Sequence, residues 1–61
     1  MNTEILIVDD NADIRNILNE LISDHGFKTR VAANFSQALI EIDKKLPDVA
    51  IIDVKLDKGD N

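Results

Sequence analysis

Three aspartates carry the most pointed chemistry in this chain of 61 residues. Asp9 and Asp10 close the apolar run Ile5-Leu6-Ile7-Val8, and Asp53 lies near the end of a second run, Val49-Ala50-Ile51-Ile52-Asp53-Val54. An ionised carboxylate away from water is costly unless a cation or hydrogen bonds compensate it, so Asp53 needs solvent or a partner. Two such charges about 4 Å apart repel by roughly 4 kcal/mol at an effective dielectric of 20, and three together call for a cation or a raised pKa. Carboxylates alone offer hard oxygen donors. Mg²⁺ suits them, because it takes one or two carboxylates, keeps waters and leaves positions for phosphate oxygens. A carboxylate beside such an ion can also attack phosphorus and form an acyl phosphate.

Bringing the three together requires two parallel strands that end on the same edge. Ile5 to Val8 is apolar without alternation, as expected of a strand covered on both faces, and the strand is placed at about residues 4–8. Ile14, Ile17, Leu18, Leu21 and Ile22 then recur at helical spacing, leaving Arg15, Asn16, Asn19, Glu20 and Ser23 for the wet face. This predicts a helix over 12–25, capped at its start by Asp10 or Asn11 and closed by Gly26 in a left-handed position. Lys28 to Ala33 alternates more and predicts a strand nearer the sheet edge.

Asn34 followed by Gln37 resembles a capping box. It opens a helix over 34–45 with Phe35, Ala38, Leu39, Ile42 and Leu46 along one side and Lys44 and Lys45 in the last turn. Pro47 blocks continuation and turns the chain into the third strand, Val49 to Val54. The order β-α-β-α-β with short connections predicts one parallel sheet, its two helices on opposite faces. With strand one central, the crevice between strands one and three is the switch point at which open α/β sheets place ligands, and Asp9, Asp10 and Asp53 flank it.

Composition narrows the function further. The formal charge of -5 and the scattered basic residues argue against direct nucleic-acid binding. No apolar run approaches the roughly 18 residues of a membrane span, and Met1-Asn2-Thr3-Glu4 lacks the basic start of a secretory signal, so a cytoplasmic setting is expected. There is no cysteine, hence no disulfide or thiolate metal site. A chain of this length hides only about 60% of the surface its unfolded form exposes, which leaves a metal or self-association as means of support. Phe27 and Phe35, the two aromatic residues, are assigned to the core.

Ile5-Leu6-Ile7-Val8-Asp9-Asp10-Asn11, the helix that follows, Ala38-Leu39, and Pro47-Asp48-Val49-Ala50-Ile51-Ile52-Asp53 together resemble the receiver domain of two-component response regulators. The resemblance covers essentially the whole chain and matches the first half of such a domain, residues 1–61 reaching the loop after strand three. It implies the N-terminal βαβαβ half of a flavodoxin-like doubly wound parallel sheet with strand order 2-1-3. It further implies that Asp53 accepts a phosphoryl group from a sensor histidine kinase, that Asp10 binds Mg²⁺ directly, that Asp9 acts through a metal-bound water, and that Asp53 itself and the Lys55 backbone carbonyl are further metal ligands. An attached output domain would be the element switched.

The family's Ser/Thr switch residue and its phosphoryl-pairing lysine have no counterparts among these residues, so competence of the fragment to switch is not implied. The loop Leu56-Asp57-Lys58-Gly59 also lacks the proline common after the phosphoacceptor, and resembles the form found in some nitrogen-regulation response regulators. Two other functions fit the residues. One is an Mg²⁺-dependent phosphohydrolase fragment with Asp9 or Asp10 as nucleophile, and the other is a non-catalytic piece that self-associates through apolar faces or a strand edge. His25 is assigned to the surface at a helix end, not to a relay. Lys55, Lys58, Asp57 and Asp60 are assigned to a solvated loop.

Overall fold

The computed structural model describes residues 3–53. Three strands, β1 (Glu4–Val8), β2 (Lys28–Ala32) and β3 (Val49–Ile52), alternate with two helices, α1 (Ala12–Asp24) and α2 (Phe35–Lys44). The strands form one parallel sheet in the order β2-β1-β3, the N-terminal βαβαβ arrangement of a flavodoxin-like sheet. Central placement explains the unbroken apolar character of β1. Its residues Leu6, Ile7 and Val8 are essentially fully buried between two neighbours.

Register decides which helix each side chain meets. Leu6 lies opposite Arg30 on β2 and Ala50 on β3, and Val8 lies opposite Ala32 and Ile52, so these side chains share one face of the sheet. On that face Leu6, Val8, Ala32 and Ala38 of α2 make the core, with Ile42 packed against it. Ile5 and Ile7 point to the opposite face, beneath α1. There Asn19 of α1 accepts a 2.5 Å hydrogen bond from the Thr29 hydroxyl of β2. The helices therefore cover opposite faces, as the sequence predicts, but both lie over β1 and β2, and neither brings its backbone close to β3.

Several sequence expectations change as a result. On α1 the half-buried residues are Arg15, Leu18, Asn19 and Ile22, while Ile14, Ile17 and Leu21 are exposed. Arg15 and Asn19 thus belong to the packed face, because each finds a polar partner beneath the helix. On α2, Ala38, Glu41 and Ile42 turn inward, whereas Phe35 and Leu39, and Leu46 just beyond the helix, stand exposed. Phe27 and Phe35 are 40% and 57% exposed, so neither is core. Every residue of β3 is exposed, since its faces have no helix over them.

The ends of the elements follow local chemistry. Asn11 caps α1, its side chain accepting from the Ile14 amide at 3.1 Å. The helix closes one residue earlier than expected, at Asp24, where the His25 and Gly26 amides return to the Ile22 and Ser23 carbonyls. Gly26 has φ +92°, and nothing lies within 4 Å of where a Cβ would sit. The glycine is required there by backbone conformation alone, which costs other residues about 1–2 kcal/mol.

Asn34 caps α2 by accepting from the Gln37 amide at 2.8 Å. Gln37 reaches back to the Ala33 amide at 2.9 Å, one residue before the position that a capping box would use. Strand β2 stops at Ala32 and α2 runs Phe35–Lys44, each slightly shorter than predicted. The expected strand residue Val54 lies outside the described residues.

Candidate phosphoryl-transfer site

The acidic edge is built by the sheet itself. The parallel ladder extends one residue past the strand ends: the Asp9 amide donates to the Ala32 carbonyl at 3.1 Å, and the Asp53 amide donates to the Val8 carbonyl at 3.0 Å. These bonds lock Asp9 and Asp53 into adjacent positions at the carboxyl ends of β1 and β3. Asp10 follows in the loop before α1. Carboxylate oxygens of Asp9, Asp10 and Asp53 all lie within 4.8 Å of one another. The sequence placed these three on one edge, and the backbone brings them into a single cluster.

Their surroundings differ. Asp9 is 6% exposed, Asp53 is half-buried and Asp10 is exposed. Asp9 Oδ1 accepts the Asn11 amide at 2.9 Å, which leaves its other oxygen for a further partner. A cleft of about 650 Å³ opens between the end of β1, the start of α1 and the end of β3. Its acidic mouth is formed by the three aspartates, and its apolar wall by Ile14, Leu18, Ile51 and Ile52. Ile14 is exposed because it borders this cleft and not the sheet.

The donor set has the chemistry of a hard-cation site. In octahedral geometry at 2.0–2.1 Å, oxygen ligands stand roughly 3 to 4 Å apart, so carboxylates within 4.8 Å can converge on one Mg²⁺ or on its waters. Among the described residues no nitrogen or sulfur donor belongs to the cluster, which disfavours zinc. Lys55, assigned a carbonyl ligand from the resemblance, lies outside the described residues, as do Asp57, Lys58 and Asp60. His25 caps the far end of α1, about 20 Å along the helix from the acids, with its Nδ1 at 2.9 Å from the Leu21 carbonyl.

Comparison with known proteins bears on what such an edge is for. Residues 5–60 match the model of the response regulator receiver domain. The chain belongs to that family. Among curated relatives of this receiver, sporulation initiation phosphotransferase F of Bacillus subtilis (strain 168) is 46% identical over 56 residues, 92% of this chain and 45% of that protein. A putative NtrX-like response regulator of Rickettsia bellii is 45% identical over 53 residues, covering 87% of this chain and 11% of its own length. The transcriptional regulatory protein YxdJ of Bacillus subtilis (strain 168) is 38% identical over 53 residues, 87% and 23% of the two chains. The receiver chain therefore spans about half, or less, of the length of these relatives. The NtrX-like relative is of the nitrogen-regulation type that the sequence Leu56-Asp57-Lys58-Gly59 resembles.

Two features of the site were not legible in the residue pattern. One is the Arg15 guanidinium, which donates to the Asp9 carbonyl at 2.9 Å, a backbone contact with no side-chain signature. The other is Asp48 at the opposite end of β3. Its carboxylate accepts the Glu4 amide at 2.8 Å while its own amide donates to the Glu4 carbonyl at 2.9 Å, which sets the β1–β3 register that aligns Asp53 with Asp9.

Proposed function

We propose that these residues are the N-terminal half of a phospho-accepting receiver in a two-component signalling system, with Asp53 as acceptor and Asp9 and Asp10 as the Mg²⁺ side of the site. The observation that carries this is the convergence of the three carboxylates at the carboxyl edge of a parallel sheet. A carboxylate oxygen of Asp53 attacks the phosphorus of a kinase phosphohistidine. The Oδ–P bond forms as the N–P bond breaks, and the electron pair leaves with the imidazole, which takes up a proton. Bound Mg²⁺ supplies charge neutralisation on the transferring group. Asp9, fixed at its amide and one carboxylate oxygen, contributes orientation. Asp10, exposed in the loop, contributes an unencumbered ligand.

The proposed partners are a sensor histidine kinase as donor and an attached output domain as the element regulated. The proposed setting is the cytoplasm; among the described residues no helix is long and apolar enough to cross a membrane. The full-length protein incubated with acetyl phosphate and Mg²⁺ is expected to gain one phosphoryl group per site, and excess chelator to suppress the gain at least tenfold. Equal incorporation with and without chelator overturns the assignment of a metal-assisted site.

We further propose that a polypeptide of these 61 residues self-associates through β3, which has apolar side chains exposed on both faces and, among the described residues, one ladder partner. Sedimentation velocity is expected to show a mass that rises with concentration. A single monomer boundary at every concentration refutes this.

A further inference from the structure

We infer that Arg15 is a positioning residue for the acidic loop, holding Asp9 and Asp10 in the arrangement that receives a divalent cation. This rests on the receiver reading of the site. The side chain lies one turn into α1 and is half-buried, with Nη1 donating to the Asp9 carbonyl at 2.9 Å. The backbone amide of the same residue donates to the Asn11 carbonyl at 2.9 Å. Residue 15 thus bonds the carbonyls of both neighbours of Asp10, the exposed member of the cluster.

Asp9 is then held at three points: its amide by Ala32, its carboxylate by the Asn11 amide, and its carbonyl by Arg15. The guanidinium makes no ion pair with the Asp9 or Asp10 carboxylate. It therefore stabilises the loop without occupying the oxygens that a cation needs. A carboxylate-paired arginine would compete for them.

The sign of the effect separates positioning from bystander charge. Removing a positive charge beside a cation site favours cation binding on electrostatic grounds alone. Loosening the loop that orients the ligands weakens it, and groups that orient metal ligands are typically worth ten- to a hundredfold in affinity. Arg15→Met keeps the apolar stem and removes the donors, so positioning predicts weaker Mg²⁺ binding, and a bystander predicts binding that is equal or tighter.

The test is Mg²⁺ titration of the full-length protein by calorimetry and by amide shifts of the Asp9–Asn11 loop, with wild type, Arg15→Met, Arg15→Lys and Asp10→Asn. Expected are about tenfold weaker binding in Arg15→Met, partial recovery in Arg15→Lys, whose single ammonium still reaches one carbonyl, and the largest loss in Asp10→Asn. Unchanged or tighter binding in Arg15→Met overturns the inference while leaving the receiver site standing. Should Arg15→Met fail to fold, wild-type affinity in Arg15→Gln, whose shorter neutral side chain does not repeat the contact to the Asp9 carbonyl, together with unshifted loop amides overturns it as well. If Asp10→Asn binds Mg²⁺ as wild type does, the metal-site reading falls, and this inference falls with it.

Discussion

Asp53→Asn is expected to abolish phosphoryl incorporation from acetyl phosphate in the full-length protein, by at least about a hundredfold, and to leave the fold intact. The asparagine keeps the shape of the side chain, and the bond from the residue 53 amide to the Val8 carbonyl does not involve the side chain. What is lost is the anionic oxygen that attacks phosphorus, since an amide oxygen is a poor nucleophile. Asp9→Asn gives the contrast. Its side-chain oxygen can still accept the Asn11 amide, so the loop survives, but one anionic donor leaves the cation cluster. That variant is expected to retain phosphorylation at saturating Mg²⁺ while requiring roughly ten- to a hundredfold more of the ion. The reversed pattern, activity abolished by Asp9→Asn and untouched by Asp53→Asn, assigns the nucleophile to strand one. It would move the protein toward phosphohydrolase chemistry. Phosphopeptide mapping of the wild-type product after borohydride trapping reads the acceptor directly.

The acidic edge was legible because its signals are local to the strands. Unbroken apolar character marks Ile5–Val8 as central, the helices between strands force parallel pairing, and Asp9, Asp10 and Asp53 then share an edge by topology alone. Helix starts were legible for the same reason, since Asn11 and Asn34 cap residues only three positions away. Rotation of the helices was not. Periodicity assigns α1 a stripe of five apolar residues, but the contact made depends on where the helix lies over the sheet. Placed over β1 and β2, α1 turns Arg15 and Asn19 inward toward a carbonyl and a hydroxyl, and leaves Ile14, Ile17 and Leu21 outside. Phe27 and Phe35 were misassigned on residue type, which favours burial only where a neighbouring element supplies a surface. Lys28–Ala32 alternates as an edge strand should, yet the pattern could not show that the arginine within it is among the most connected side chains of the structure.

That arginine yields the second large effect. Arg30 is expected to lower the unfolding free energy by about 3 kcal/mol when replaced by alanine, measured by urea denaturation of the full-length protein. Its Nη2 donates to the Lys45 carbonyl at 2.6 Å and its Nη1 to the Glu41 carbonyl at 2.8 Å, so one side chain closes the C-terminal turn of α2. Hydrogen bonds from a charged donor contribute about 1.5–3 kcal/mol each, at the lower end where water can replace the donor. Arg30 also pairs with the Glu4 carboxylate at 3.3 Å through Nε and with the Glu41 carboxylate at 3.2 Å. The Glu4 contact lacks hydrogen-bond geometry, so its contribution is electrostatic and smaller. Because the principal acceptors are backbone carbonyls, Glu41→Ala should cost clearly less than Arg30→Ala. Arg30→Lys should recover less than half, since one ammonium cannot span carbonyls four residues apart and the Glu4 carboxylate as well. The clamp sits toward the amino end of the sheet, with Glu4 about 16 Å along β1 from Asp9. Well below the unfolding temperature, Mg²⁺ affinity and phosphorylation of Arg30→Ala should therefore match wild type. A stability loss under about 0.5 kcal/mol, or a selective loss of Mg²⁺ binding in the folded variant, would refute this division between clamp and site.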